Sequence, residues 1–513
     1  MSNNHVFSDN MLPVKKEKSE ITPDKLIPVR SPLEDLRRIA RRGKIQKGVN
    51  ALHIANGVPA DPRKLYSINS AVPVILSYRE RGHHLGGFGT TGIGKTRQIA
   101  YLIMQDILAG NNILLIDPKW DTFIQEKIVE AALAAGRIDE LLFFSPLLPQ
   151  YSIKLNLLRY YQIRDEIVDH VVSGVKAKEE FFVNVAYEVT LAIVNARALI
   201  EQARGQKYVP NFADIKKWCS YDGLQQLRKR IEMLKFHEDE KIREEAEETD
   251  LILSQILLSP QDYFAKVSST LRTVLTSMAS STVGKLVGKA TENELIRRLE
   301  SGQRFIAICT TGSLLSRRTA HTIGKVLLSM IQSAMGRFLA RDEAFNPPLA
   351  LYIDEGHNVL YPGIEELFNK GRGANLWVHF FTQSLAQMIR EVGETITHSI
   401  IDNISTWLYM RVNCPVTANF IAQTMPSIIK RSKTLIPTGE GFMTNLTDKF
   451  APVVEAEWFT QLEQRKMVVK LPGGRIYICI TPEVPEAKTK ITYSNIELVI
   501  QENENMVSIS QQQ

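Results

Sequence analysis

The chain has 513 residues, enough for roughly two to four domains with sizeable cores. Its hydrophobic fraction of 44% and charged fraction of 23% exclude a disordered or fibrous protein. Four widely spaced cysteines (Cys219, Cys309, Cys414 and Cys479) exclude a disulfide framework or a cysteine zinc site and fit reduced thiols in a cytosolic setting, while a net charge of +6 is too mild to argue for nucleic acid by itself.

Residues 1–50 read as a flexible, basic N-terminal arm. Positions 1–30 are polar with scattered Pro and no periodicity, and the start lacks the basic-then-apolar pattern of a signal peptide. Between Leu36 and Lys47 stand six positive residues, Arg37, Arg38, Arg41, Arg42, Lys44 and Lys47. Such a run suits phosphates or an anionic membrane surface, and equally a plain solvated helix face. No run of about 18 apolar residues offers a membrane span.

Short apolar runs at 52–54 and 71–76 predict strands, followed by a third at 84–88. Residues 89–96 then read Gly89-Thr90-Thr91-Gly92-Ile93-Gly94-Lys95-Thr96, a full match to G-x-x-x-x-G-K-[ST] between a strand and a helical pattern. Consecutive backbone N–H groups in such a loop converge on one point at the positive end of a helix. Lys95 is expected to bridge the β- and γ-phosphates and the Thr96 hydroxyl to bind Mg²⁺. The pattern therefore predicts binding of a nucleoside triphosphate, taken as ATP.

Asn112 to Asp117 predicts a buried strand that ends at Asp117-Pro118-Lys119, where Lys119 either reaches the nucleotide or a neighbouring subunit or only builds a turn. Another strand is expected at 141–144. From about residue 162 to 289 the pattern is helical with few breaks, and this stretch reads as an all-helical domain inserted between a first motor part (51–161) and a second (290–482). The acidic segment from Glu238 to Asp250 reads as a solvated helix face or connector. Strands are expected again at 304–309, 349–354, 376–381, 406–411 and 475–480, spaced by helical patterns that imply parallel strands with crossover helices. A polar tail occupies 483–513.

A phosphate loop needs an acidic partner, and Asp354-Glu355 at the end of the 349–353 run supplies it. Asp354 is expected to hold Mg²⁺ through water and Glu355 to orient the attacking water, which favours hydrolysis over transfer to a metabolite. A pair that merely caps the next helix is the plain alternative. Gln383, at the end of the following strand, is the candidate sensor of the γ-phosphate, and Arg372 in Lys370-Gly371-Arg372-Gly373 the candidate arginine finger, with Arg317 and Arg318 as rivals. The base-reading N-K-x-D motif of a GTPase is not found, which points to a motor or transport ATPase.

The ordered set of Gly57-Val58-Pro59, His84, the 89–96 loop, Asp117-Pro118-Lys119, Leu155-Asn156-Leu157-Leu158, Ile353-Asp354-Glu355, Gly371-Arg372 and Thr382-Gln383-Ser384 resembles the conjugative coupling proteins of the TraD/TraG class, within the HerA–FtsK group of ring-forming DNA motors. The resemblance spans residues 50–480. It implies an α/β fold with a RecA-like nucleotide-binding domain, a mostly parallel central sheet and an inserted all-α domain. It further implies a hexameric ATPase with Mg²⁺ at the cytoplasmic face of the inner membrane, at the base of a type IV secretion channel. Such a motor recruits a relaxase–DNA complex and moves DNA, single-stranded and without regard to sequence. Typical members carry N-terminal membrane helices; here membrane contact is expected through a partner or the basic arm. A secretion ATPase with protein cargo and a non-enzymatic adaptor are the other readings.

Overall fold

The computed structural model describes residues 51–60, 71–177, 179–313, 315–438 and 441–487; the basic run at 37–47 and most of the polar tail lie outside them. Thirteen strands occur in the described chain: β1 (Leu52–Pro59), β2 (Val72–Leu76), β3 (Leu85–Phe88), β4 (Asn112–Asp117), β5 (Leu141–Phe144), β6 (Ile306–Thr310), β7 (Leu349–Ile353), β8 (Leu376–Thr382), β9 (Thr406–Tyr409), β10 (Ser427–Thr438), β11 (Gly441–Pro452), β12 (Lys466–Leu471) and β13 (Arg475–Ile480). Eleven of them form one sheet in the order β2-β1-β13-β12-β9-β3-β8-β7-β4-β6-β5.

The stretch β9-β3-β8-β7-β4-β6-β5 is parallel throughout. Its strands are continuous apolar runs because helices cover both faces, and β4, β6, β7, β8 and β9 are buried at every position. The remaining four strands add an antiparallel edge. The expected α/β fold with a mostly parallel sheet is the one observed. Strand β3, which delivers the chain to the phosphate loop, carries Gly86-Gly87 for a steric reason. A Cβ on Gly86 would stand 2.5 Å from the Trp407 ring, and one on Gly87 2.4 Å from the Phe381 ring.

On one face of the sheet pack the helices Lys95–Ala109 and Thr122–Ala135, around Ile99, Ile103, Ile128 and Ala131. On the other lie Arg317–Ala340 and Leu385–Asp402. Between β5 and β6 the described residues form helices, including Arg164–Ser173, Glu180–Gln202, Tyr221–Leu234 and Glu240–Leu257. Their apolar faces belong to the same continuous core as the second face of the sheet: Val171, Ile193 and Leu227 share a cluster with Leu114 and Ile331.

The acidic stretch falls largely in Glu240–Leu257, which buries Ile242, Ala246 and Leu253 and turns most of its carboxylates to solvent. Asp250 turns inward and pairs with Arg228 at 2.8 Å and Lys235 at 2.6 Å. Glu180–Gln202 is the one described helix long and apolar enough to cross a membrane by length and composition, at a mean hydropathy of 1.3. With 56% of that window buried inside the fold, it reads as a core helix.

Two features depart from the sequence expectations. Strand β12 pairs with both β9 and β13 where no strand was expected. Strands β10 and β11 pair only with each other, as a 12-residue antiparallel ribbon outside the main sheet. Neither carries the long apolar run that marks the parallel strands.

Candidate functional site

The phosphate loop leaves β3 at the carboxyl end of the parallel strands. It is anchored on both sides, since the Gly89 N–H donates to the Thr382 carbonyl (3.2 Å) and the Thr90 N–H to the Arg411 carbonyl (2.8 Å). Gly92 (φ 77°) and Gly94 (φ 116°) occupy backbone space that favours glycine, and Gly94 opens the helix Lys95–Ala109. Ile93 is fully buried and pins the loop from beneath. The loop curls around an open point between Thr91 and Thr96, a cradle that fits a polyphosphate.

Asp354 and Glu355 follow β7 immediately. Asp354 is 3% exposed and faces the same cavity as Thr96. Burial pushes its carboxyl up, and Lys95 opposes this. Thr96 and Asp354 are thus the oxygen pair that fits a Mg²⁺ ion.

Glu355 takes a left-handed backbone (φ 48°) that a side chain disfavours. Its carboxylate is gripped from several sides. The Gln383 Nε2 donates to both oxygens at 2.9 Å, Lys119 forms an ion pair with it, and the Lys95 ammonium lies 3.5 Å from Oε1. His357 Nδ1 stands 3.7 Å from Oε2 and 3.2 Å from the Thr382 hydroxyl. Burial alone would raise the Glu355 pKa, but Lys95, Gln383 and Lys119 outweigh it and hold the carboxyl at about 2. In this grip the group is a poor proton acceptor and a good orienting acceptor. Lys95 in turn is pulled down by burial and supported by Asp354 and Glu355.

Asp117 ends β4 with no exposure and accepts the backbone N–H groups of Lys119 (2.8 Å) and Asp121 (2.6 Å). Burial, then the charge of Asp354, raises its pKa to about 7. It shapes the turn that delivers Lys119 to Glu355.

A cavity of about 610 Å³ opens beside the loop, bounded by Gly92, Lys95, Thr96, Lys119 and Asp354 on one side. Its far wall comes from the chain's other end. The Gln464 amide donates to the Gly92 carbonyl (3.0 Å), the Arg465 N–H donates to the Ile93 carbonyl (3.1 Å), and Arg97 donates to the Val484 carbonyl (2.6 Å) and pairs with Glu486. Sequence reading missed this wall; no local pattern links Gln464 or Val484 to a loop more than 370 residues earlier.

Lys95, Thr96, Asp354, Glu355 and Gln383 therefore converge. Arg372 does not join them. Its side chain lies beside Gly82, where a Cβ would come within 3.0 Å of the Arg372 Cγ, just before β3 and so at the opposite end of that strand from the loop. Any role at a nucleotide would have to be played toward a neighbouring subunit.

Residues 348–427 match the family model described as the TraM recognition site of TraD and TraG. The resemblance to the TraD/TraG class holds. Solved structures with the same fold include the bacterial conjugative coupling protein TrwBdeltaN70 (TM-score 0.60, 15% identity, covering 89% of this chain and 93% of that one). TrwB in complex with ADP and Mg²⁺ gives a TM-score of 0.60 at 15% identity, covering 87% and 96%. VirB4 of Thermoanaerobacter pseudethanolicus gives 0.50 at 12% identity, covering 84% and 97%. No curated protein matches the chain in sequence.

Proposed function

We propose that this chain is an ATP-hydrolysing coupling protein of a conjugative or type IV secretion system, which recruits a relaxase–DNA complex and drives DNA toward the channel. The observation that carries the reading is the convergence of Lys95, Asp354, Glu355 and Gln383 at the mouth of the phosphate loop. TrwB, whose fold this chain shares, has been solved with ADP and Mg²⁺ and with analogues of ATP and GTP.

The residues perform the reaction as follows. The N–H groups of 89–96 and the Lys95 ammonium receive the β- and γ-phosphates. Lys95 then leaves Glu355, which relaxes the grip on that carboxylate. Glu355 turns its freed lone pairs to the attacking water, and Gln383, already bonded to both oxygens, fixes their direction. Thr96 and Asp354 would hold Mg²⁺, which would supply positive charge against the phosphates. A homo-hexameric ring, with Arg372 reaching the neighbouring subunit, belongs to the same proposal, as do attachment at the cytoplasmic membrane face through the basic arm or a partner and docking of a relaxosome protein on the 348–427 segment.

Steady-state ATP hydrolysis by the purified chain, with and without single- and double-stranded DNA and with Glu355→Gln as the blank, tests the reading. Stimulation by DNA that the blank lacks is expected. Hydrolysis indifferent to DNA would shift the cargo to protein, and absence of hydrolysis at every protein concentration would overturn the motor.

A further inference from the structure

A second charged cluster lies at the carboxyl edge of the sheet, on the face opposite the phosphate-loop helix. The helix Arg317–Ala340 carries Arg317, His321 and Lys325 at four-residue intervals, so the three share one face and rise by about 6 Å per step. Exposure falls along the stripe: Arg317 is open to solvent, His321 half-buried and Lys325 only 6% exposed. Two further cations flank it, Lys176 from the loop after Arg164–Ser173 and Arg390 from the helix Leu385–Asp402. The nearest carboxylate, Glu391, is already shared between Lys176 and Arg390. The Lys325 side chain makes no hydrogen bond or ion pair with a described residue. Four cations thus face one acid.

Burying an ammonium without a partner is costly, and native folds pair such groups or leave them for a ligand. Burial lowers the Lys325 pKa to about 8, with Lys176 pushing the same way and Glu391 opposing, so the group still carries its charge near neutrality. The site therefore carries more cationic than anionic charge. Burial holds the His321 pKa at about 4, so near neutrality the stripe presents two charges, Arg317 and Lys325, about 12 Å apart along the helix, a separation comparable to two successive phosphate spacings of an extended single strand.

We infer that Arg317 and Lys325, with Lys176 and Arg390 beside them, form a contact for the phosphodiester backbone of single-stranded nucleic acid, electrostatically linked to Glu355 through His357. This rests on the DNA-motor reading above and adds the residues through which the strand would be felt. The link is short. His357 lies between Glu355 and Thr382, and its ring also senses Arg390 and Glu391, while His321 senses Arg317, Lys325, Glu391 and His357. A phosphate drawing Arg390 away from Glu391 changes the field at His357 and so the setting of the Glu355 carboxylate, while Lys325 acts on the same path only through His321. Backbone-only contact of this kind is strongly salt-dependent and indifferent to base sequence.

The test uses the full chain and fluorescein-labelled oligothymidylate of about 16 nucleotides, titrated by anisotropy at several salt concentrations. Lys325→Gln and Arg317→Gln are each expected to weaken binding about tenfold and to lower the slope of log affinity against log salt by about one. DNA stimulation of hydrolysis should fall in parallel in both variants, while hydrolysis by Lys325→Gln without DNA stays within about twofold of wild type. Arg317 is exposed, so its variant keeps the test decisive even if Lys325→Gln misfolds. Unchanged affinity and salt slope in both variants, with a wild type that binds and responds, would overturn the inference and leave the motor standing. A wild type that neither binds nor responds would sink the motor reading instead. Displacement of the oligonucleotide by polyglutamate at equal charge concentration would also overturn it, by making the site a reader of acidic protein.

Discussion

Glu355 is tied in its left-handed backbone at both ends, its N–H donating to Asp354 Oδ1 and its carbonyl accepting from the Asn358 N–H, each at 2.9 Å. Gly356 follows, and a Cβ there would stand 2.2 Å from the Phe380 ring in the floor of the site. Gly356→Ala must push that ring aside, and a loss of about 1–3 kcal/mol is expected, read as a shifted urea midpoint with unchanged slope. Glu355→Gln keeps the size of the side chain but removes the charge that Lys95, Lys119 and Gln383 hold in place. Hydrolysis is expected to fall by about 10² or more while a fluorescent ATP analogue still binds; loss of binding together with turnover would make Glu355 a structural residue. The loop residues and the Asp354-Glu355 pair were legible because their chemistry lies in short contiguous strings. Lys119 was only half legible: its place at a strand end could be read, but its ion pair with Glu355 joins residues 236 positions apart and leaves no local pattern.

At the scale of elements, the parallel strands were readable because burial on both faces forces continuous apolar runs. Strand β12, Lys466-Met467-Val468-Val469-Lys470-Leu471, interrupts that run with Lys470, whose ammonium escapes to the Thr424 carbonyl at 3.0 Å. The β10–β11 ribbon was hidden for a different reason: it pairs with itself and leaves Ile429, Leu446 and Phe450 exposed, so burial imposes no pattern on it. One tie between elements is wholly buried. Arg81, just before β3, pairs at 2.6 Å with Asp106 on the phosphate-loop helix, and its guanidinium stacks 4.0 Å over Trp377 of β8. The Tyr352 hydroxyl of β7 donates to the same carboxylate. Asp106→Ala leaves a guanidinium in the core without that carboxylate and is expected to cost about 3–5 kcal/mol in urea unfolding. A cost below about 1 kcal/mol would mean that the cation–π contact alone holds the junction.

Over the whole molecule, buried histidines set how stability depends on acid. Burial lowers the pKa of His84 to about 4 and of His170 and His379 to about 3, and it brings His321 and His357 to about 4. In the unfolded chain each returns to 6.5 and binds a proton below that pH, while the fold holds it neutral. Stability from these groups is therefore complete above pH 6.5 and drains away as pH falls toward 4. At pH 5 each of the three fully buried rings costs about 2 kcal/mol, since one pK unit is worth about 1.4 kcal/mol. Two carboxyls pull the other way. Asp117, raised to about 7, keeps its proton in the fold where the unfolded chain would release it, so it favours the fold toward acid and loses that contribution as pH rises through 7, and burial shifts Asp354 in the same direction. Five histidines outweigh two carboxyls between pH 4 and 6.5. The melting temperature is expected to rise by several degrees from pH 5 to 6.5 and to level off near 7, with Asp117→Asn steepening the rise because it removes an opposing slope. A melting temperature that is flat from pH 5 to 7 in wild type and variant alike would mean that these rings reach solvent and titrate freely in the fold.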